Sequence, residues 1–380
     1  MPIEFTHVPG KPANGSFFYD FAETATKLSL IEDAGFRKLV IDDPAGLLAN
    51  MDIAAQTLDR TPALEVVLTH WAGVVEPTVA ARQLAALDLR GGGRLSLRML
   101  SEPLQDSDAE ARPVGHSVVW QRIDEYLVLM KRLWSNDEPF DHEGAFYSVK
   151  GGYVPRKGPH GGDLTIRLGG QSGTALKVAG RHADIFELAA GSPDEVAQLM
   201  QRVRGAAAEH GRAGRLRFAL PVRIRPEGWS GASDHKAVEV AGPPARLALS
   251  LLPYAALGIE EFMICGIDRP SEIARIGRET VTLIAKFAGA VRRRHPGARN
   301  VRVALVHRGT PSVKSRMAVR PAAAAAGFIK TGHSEDIDQG HCGRHGLAPS
   351  VLAAAANRED ESVAGNETVH AKRFVTDGFL

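Results

Sequence analysis

The chain has 380 residues, 44% of them hydrophobic and 24% charged, a composition that supports one large soluble domain or two of usual size. A formal net charge of +2 is too near neutrality to argue for a nucleic-acid partner, and the densest basic run, Arg292-Arg293-Arg294, lies late in the chain. Two cysteines, Cys265 and Cys342, leave no disulfide framework and no paired-cysteine metal site, while no basic leader with an apolar stretch and no membrane-length apolar window is present. A cytoplasmic protein with small-molecule or protein partners, away from membranes, is therefore expected.

Up to about residue 290 the chain alternates short apolar runs with longer segments of helical period, the sequence form of a parallel α/β fold. The runs are 3–7, 37–42, 64–69, 95–100, 164–168, 184–188, 216–224 and 261–265. Helical candidates with apolar residues three and four apart lie between them, over 21–34, 79–89, 118–134, 195–210 and 246–257. Eight strand–helix units fit a closed (βα)8 TIM barrel, which takes about 250 residues plus insertions.

The segment 139–162, rich in Gly, Pro and Tyr, reads as an excursion after the fourth helix that sits over the C-terminal mouth of the barrel. Beyond the barrel the run Ala322–Ala326 and scattered polar residues carry no sustained period, so 1–290 is read as one domain and 291–380 as a low-complexity, mostly disordered extension. Within that extension Asp338, His341, Cys342 and His345 lack a second ligand pair, and no metal site is assigned.

The most informative stretch is LTIRLGGQSGTALKVAGR, residues 164–181. An apolar strand that turns through Gly169, Gly170, Gln171 and Ser172 into a helix start leaves outward N–H groups backed by the helix dipole, which suits a phosphate. An ordinary strand–helix turn is the competing reading, since glycines also serve turns with no ligand. Gly91-Gly92-Gly93 has the reverse order, helix then strand, and reads as a helix C-cap at the wrong end of a barrel.

At the strand ends, His7 closes the first run and is expected to face the mouth, where an imidazole can handle a proton. His70 and Trp71 close the third run and are placed to flank a ring, although Trp71 equally suits core packing. In the seventh strand Phe218, Leu220, Val222 and Ile224 share one face, leaving Arg223 and Arg225 on the other, with Arg223 a candidate for an anionic group.

Several stretches in order resemble the bacterial luciferase-like flavin monooxygenases, closest to the alkanesulfonate monooxygenase branch. They are EPTVAARQLAALD at 76–88 followed by Gly92-Gly93-Arg94, His116-Ser117 with 122–134, the turn Gly169 to Ser172 with Ala183-Asp184, and YAALGI at 254–259 leading to Phe262 and Gly266. The resemblance runs to about residue 290. It implies a barrel that holds reduced FMN at its mouth and inserts oxygen from O2 into a small organic substrate. In the alkanesulfonate branch that reaction releases sulfite and an aldehyde.

The same resemblance implies a separate NAD(P)H-dependent flavin reductase as partner, and a homo-oligomer is expected. It places Ser101, His116, Trp120 and the turn Gly169 to Ser172 at the cofactor, with His7 and Arg223 as catalytic candidates. The branch differs in four respects, the first being that its Val-Thr-Gly is Leu100-Ser101-Glu102 here, with Ser101 in place of the Thr hydroxyl. Its Arg-Tyr pair is Val119-Trp120 here, so an indole N–H stands in for a hydroxyl. The seventh strand lacks its histidine, and the segment 228–241 is far shorter than its substrate-covering insertion. Two alternatives stay open: a deazaflavin-dependent oxidoreductase of the same fold, and a catalytically impaired flavin-binding partner subunit.

Overall fold

The computed structural model describes residues 3–10, 21–42, 47–100, 116–225 and 236–286. Eight parallel strands close on themselves in the order β1 (Glu4–His7), β2 (Lys38–Ile41), β3 (Glu65–Trp71), β4 (Leu95–Leu100), β7 (Thr165–Gly169), β8 (Ile185–Glu187), β9 (Arg217–Arg225) and β11 (Glu261–Cys265). Pairing of β11 back onto β1, Glu261 with Glu4 through Ile264 with His7, completes the barrel. Each of the eight apolar runs forms one of these strands.

Helices α1 (Phe21–Asp33), α2 (Leu47–Arg60), α3 (Pro77–Arg90), α4 (His116–Ser135), α5 (Gly173–His182), α6 (Pro193–Ala208) and α7 (Pro244–Ala256) alternate with the strands, and the short α8 (Pro270–Ile276) follows β11. Their boundaries have local causes. Glu76 caps α3 by accepting from the N–H groups of Thr78 at 3.0 Å and Val79 at 2.9 Å, with Pro77 preset in the first turn. A capping box between Ser192 and Glu195 starts α6 in the same way. Gly92 and Gly93, at φ 58° and 83°, end α3 as read from the sequence.

The sheet buries both faces. Outward strand residues such as Leu39, Leu68, Leu97, Leu168, Phe186, Phe218 and Phe262 pack under the helices with Leu28, Leu84, Ile123, Leu176, Val203 and Leu251. Inward residues Val40, Val67, Ile185, Ala219 and Met263 form a separate apolar cluster inside the barrel.

Two features differ from the sequence reading. Val238–Ala241 forms a further strand, β10, parallel to the C-terminal half of β9, inside the segment read only as a shortened connection. The excursion leaves the end of α4 and enters β7 at the basal end of the barrel, because a helix that follows a strand returns the chain there. It consists of the hairpin β5 (Phe140–Glu143) and β6 (Ser148–Gly152), whose tip climbs the outside of α4 toward the mouth. Glu125 holds that tip by accepting from the N–H groups of Phe146 at 3.0 Å and Tyr147 at 2.9 Å. Asp88 anchors the returning connection through the N–H of His160 at 3.1 Å and its Nδ1 at 2.8 Å.

The proposed boundary near residue 290, the extension beyond it and its Asp338, His341, Cys342 and His345 lie outside the described residues. Among the described residues no helix is long and apolar enough to cross a membrane, and no His/Cys/Asp/Glu cluster suits a metal ion.

Candidate functional site

The turn between β7 and α5 is built for close approach. Gly170 takes φ 129°, a conformation that favours glycine, and a Cβ built there would stand 2.8 Å from Cβ of Ala175 and 3.0 Å from Cζ2 of Trp120. Ser172 caps α5, its Oγ accepting from the N–H of Ala175 at 3.2 Å and keeping its own proton to donate. The N–H groups of Ser172, Gly173 and Thr174 form no hydrogen bond with a described residue, and a Cβ at Gly173 would meet nothing within 4 Å. Donors therefore face open space at a helix start, where an anion is favoured.

Trp120, on α4, is only 7% exposed, and its Cζ2 edge lies against Gly170. That edge carries the indole N–H, which makes no hydrogen bond with a described residue. This donor and the unpaired N–H groups of the turn lie close together, a set that suits an acceptor. The turn Gly169, Gly170, Gln171 and Ser172 thus meets Trp120 at Gly170. His116 opens α4 one helical turn before Trp120, with its side chain outside the described residues, as is the whole of Ser101. Because α4 already begins at His116, Ser117 lies inside its first turn.

Inside the barrel the strand ends carry a ladder of charges that sequence reasoning missed. Lys38 sits 3.1, 3.5 and 3.3 Å from carboxylate oxygens of Glu4, Glu65 and Glu261. Glu261 also accepts from Thr6 Oγ1 at 2.6 Å and from Arg167 at 2.6 and 3.1 Å. Arg167 donates through Nε to Glu187 at 3.0 Å, and Glu187 accepts from Arg98 Nε at 2.8 Å, with Asp42 3.7 Å from Arg98 Nη1. Arg167 is fully buried, whereas Arg98 and Asp42 are about a fifth to a quarter exposed, so the ladder rises from a dry interior toward the mouth.

Burial alone would raise the carboxyl of Glu261, yet the charges of Arg167 and Lys38 hold it down to about 2. Glu187 is likewise held low against its burial by Arg98 and Arg167. The signal was available as charged residues interrupting apolar runs, Arg98 in LSLRML and Arg167 in TIRLGG, but their partners lie on other strands.

Thr6 belongs to this interior set, so alternation turns His7 outward into the helix layer, where its ring meets Phe36 at 5.5 Å edge to face. His7 has no exposed surface, and burial pushes its pKa down to about 3. The expectation that it faces the mouth is therefore corrected: it is a neutral histidine packed between sheet and helices. His70 also turns outward, its Nε2 sharing a proton with Tyr126 Oη at 2.7 Å, and burial lowers it to about 4. The neighbouring Trp71 falls on the inward face by the same alternation.

Arg223 does reach the mouth. It pairs in register with Cys265 at the end of β11, and its charge is felt by Asp268, which accepts from the N–H of Gly10 at 2.6 Å. Arg225 lies on the same face and is bound by Glu239 of β10 at 2.5 Å.

Residues 4–224, more than half of the chain, match the luciferase-like monooxygenase family model. The chain belongs to this family. The sulfoquinovose monooxygenase of Agrobacterium fabrum (strain C58 / ATCC 33970) is 27% identical over 217 residues, 56% of this chain and 54% of that protein. The chain thus aligns with about half the length of that curated relative. Among solved structures, long-chain alkane monooxygenase (LadA) is 14% identical with a TM-score of 0.64, covering 76% of this chain and 92% of its own. The EDTA monooxygenase (EmoA) of Chelativorans sp. BNC1 is 15% identical with a TM-score of 0.63, covering 76% and 94%. At such identities the structural likeness speaks for the fold. The luciferase-like barrel accounts for the strand order, and the glycine turn at the start of α5 stands at the C-terminal end of β7, where barrels of this class carry their chemistry.

Proposed function

We propose that the chain is a flavin-dependent monooxygenase that takes reduced FMN from a separate reductase and oxygenates a small organic substrate, an organosulfonate being the first to test. The observation that carries this reading is the set of unpaired donors at the start of α5 beside the indole of Trp120, in a chain of the luciferase-like family. These donors fit a phosphate dianion. The N–H groups of Ser172, Gly173 and Thr174, the hydroxyl of Ser172 and Nε1 of Trp120 would hold it, with the isoalloxazine lying over the mouth. Reduced FMN, when bound, supplies the electrons that activate O2; the barrel orients the ring, excludes water and presents charge to the substrate.

Ser172→Asp places a carboxylate where the phosphate is to sit. FMN affinity should fall at least a hundredfold while riboflavin affinity changes little, because only the former brings negative charge to the turn. Equal FMN affinity in Ser172→Asp and the parent refutes the phosphate assignment. Titration with a deazaflavin cofactor alongside FMN separates the flavin reading from the deazaflavin alternative, and a chain that binds FMN yet never consumes O2 with substrate would fit the impaired-subunit reading.

Arg223 is the proposed contact for an anionic substrate. A charge-assisted pair is worth about 1.5–3 kcal/mol net, so Arg223→Ala should raise the KM for an alkanesulfonate about ten- to a hundredfold with FMN affinity retained. Sulfite release against substrate concentration reads this directly. No sulfite from the parent with any short alkanesulfonate would remove the sulfonate reading and leave the FMN barrel standing.

A further inference from the structure

The structure assigns to Arg202, a residue outside every matched motif, the positioning of the phosphate turn; the assignment rests on the phosphate reading above. Arg202 lies on α6 and donates through Nη2 to the carbonyl oxygen of Gln171 at 3.0 Å. A trans peptide is planar, with its C=O and N–H pointing in opposite directions. Fixing the Gln171 carbonyl toward α6 therefore fixes the Ser172 N–H away from it.

The direction matters because α5 packs between α6 on one side and α4 on the other, and α4 carries Trp120. The bond from Arg202 thus turns the Ser172 N–H toward the flank on which Trp120 lies against Gly170. This peptide turns about ψ of Gln171 and φ of Ser172, and Gln171 is exposed, so the bond from Arg202 is what restrains its carbonyl. A flipped peptide would present a carbonyl oxygen to the phosphate, replacing attraction by repulsion. Arg202 also brings a positive charge to the edge of the turn, reinforcing the preference for an anion.

The test compares FMN with riboflavin, which differ by the phosphate alone, on the full chain. The parent is expected to bind FMN at least a hundredfold more tightly. Arg202→Ala should cut that ratio about tenfold with riboflavin affinity and thermal midpoint unchanged, since the residue and its hydrogen bond are exposed. Arg202→Lys, which can still donate one bond to the carbonyl, should restore most of the ratio. An unchanged ratio in Arg202→Ala overturns the assignment, as does equal weakening of both ligands or a lysine variant as poor as alanine. A parent that fails to distinguish FMN from riboflavin instead overturns the phosphate reading itself, so the two failures are separable.

Discussion

Acidification from pH 7 to 5 should cost the barrel about 4 kcal/mol, a large part of the roughly 5–15 kcal/mol that holds a protein of this kind folded. His7 and His70 are buried in the neutral form with pKa values pushed down to about 3 and 4. In the unfolded chain each titrates near 6.5, so below that pH the unfolded state binds more protons and stability falls with slope about 1.4 kcal/mol per unit for each histidine. The loss continues until the folded values are reached. His182, lowered chiefly by burial against the pull of Asp124, acts in the same direction.

Glu261 has the opposite charge and the same consequence. Its folded pKa of about 2 gives stability that is present above the unfolded value near 4.5 and lost as pH falls toward 2. Urea unfolding at pH 7, 6 and 5 measures the slope. His7→Leu should remove close to half of it between pH 6.5 and 5, and an unaltered slope in that variant would dissociate the effect from the buried imidazole.

Arg167→Met should destabilise the fold by about 3–5 kcal/mol, since it leaves Glu261 and Glu187 buried with their shared cation gone. The cost is not the worth of the ion pairs themselves, which the desolvation of three charges largely offsets. It is the penalty of two buried carboxylates left with one cation each, Lys38 at Glu261 and Arg98 at Glu187. Adding Glu261→Gln to Arg167→Met should therefore recover part of the loss, a coupling of at least 1 kcal/mol in a double-mutant cycle. Strictly additive effects would mean that Lys38 and Thr6 already satisfy Glu261. Because Glu187 also holds Arg98 at the mouth, Arg167→Met is expected to loosen that guanidinium as well.

The eight barrel strands were legible because each is a short apolar run bounded by turn residues, and α1, α3, α4, α6 and α7 because their apolar stripes recur at three and four, whereas α2 and α8 were not among the helical candidates. The glycine turn was legible for a local reason too: strand, glycines, cap and helix are contiguous, so its donors follow from backbone geometry. Trp120 could be set beside it only through the family's order of motifs. Which face a residue takes was legible in β9, where arginines alternate with apolar residues, and Arg223 was correctly placed. It was not legible in β1. A parallel strand buried on both faces carries no alternation to read, and His7 was turned to the wrong side.

By itself, then, the sequence determined the strand and helix periods, the caps and the donor-rich turn, all of which depend on residues within a few positions of one another. Only the tertiary structure decided which strands are neighbours when the sheet closes. That closure brings Lys38, Glu261, Arg167, Glu187 and Arg98 from five strands into one ladder, sends the hairpin up the side of α4, and sets Arg202 of α6 against the carbonyl of Gln171. The physical reason is that a charge buried in one strand is tolerable only with partners supplied by others, and no local pattern records where those partners will stand.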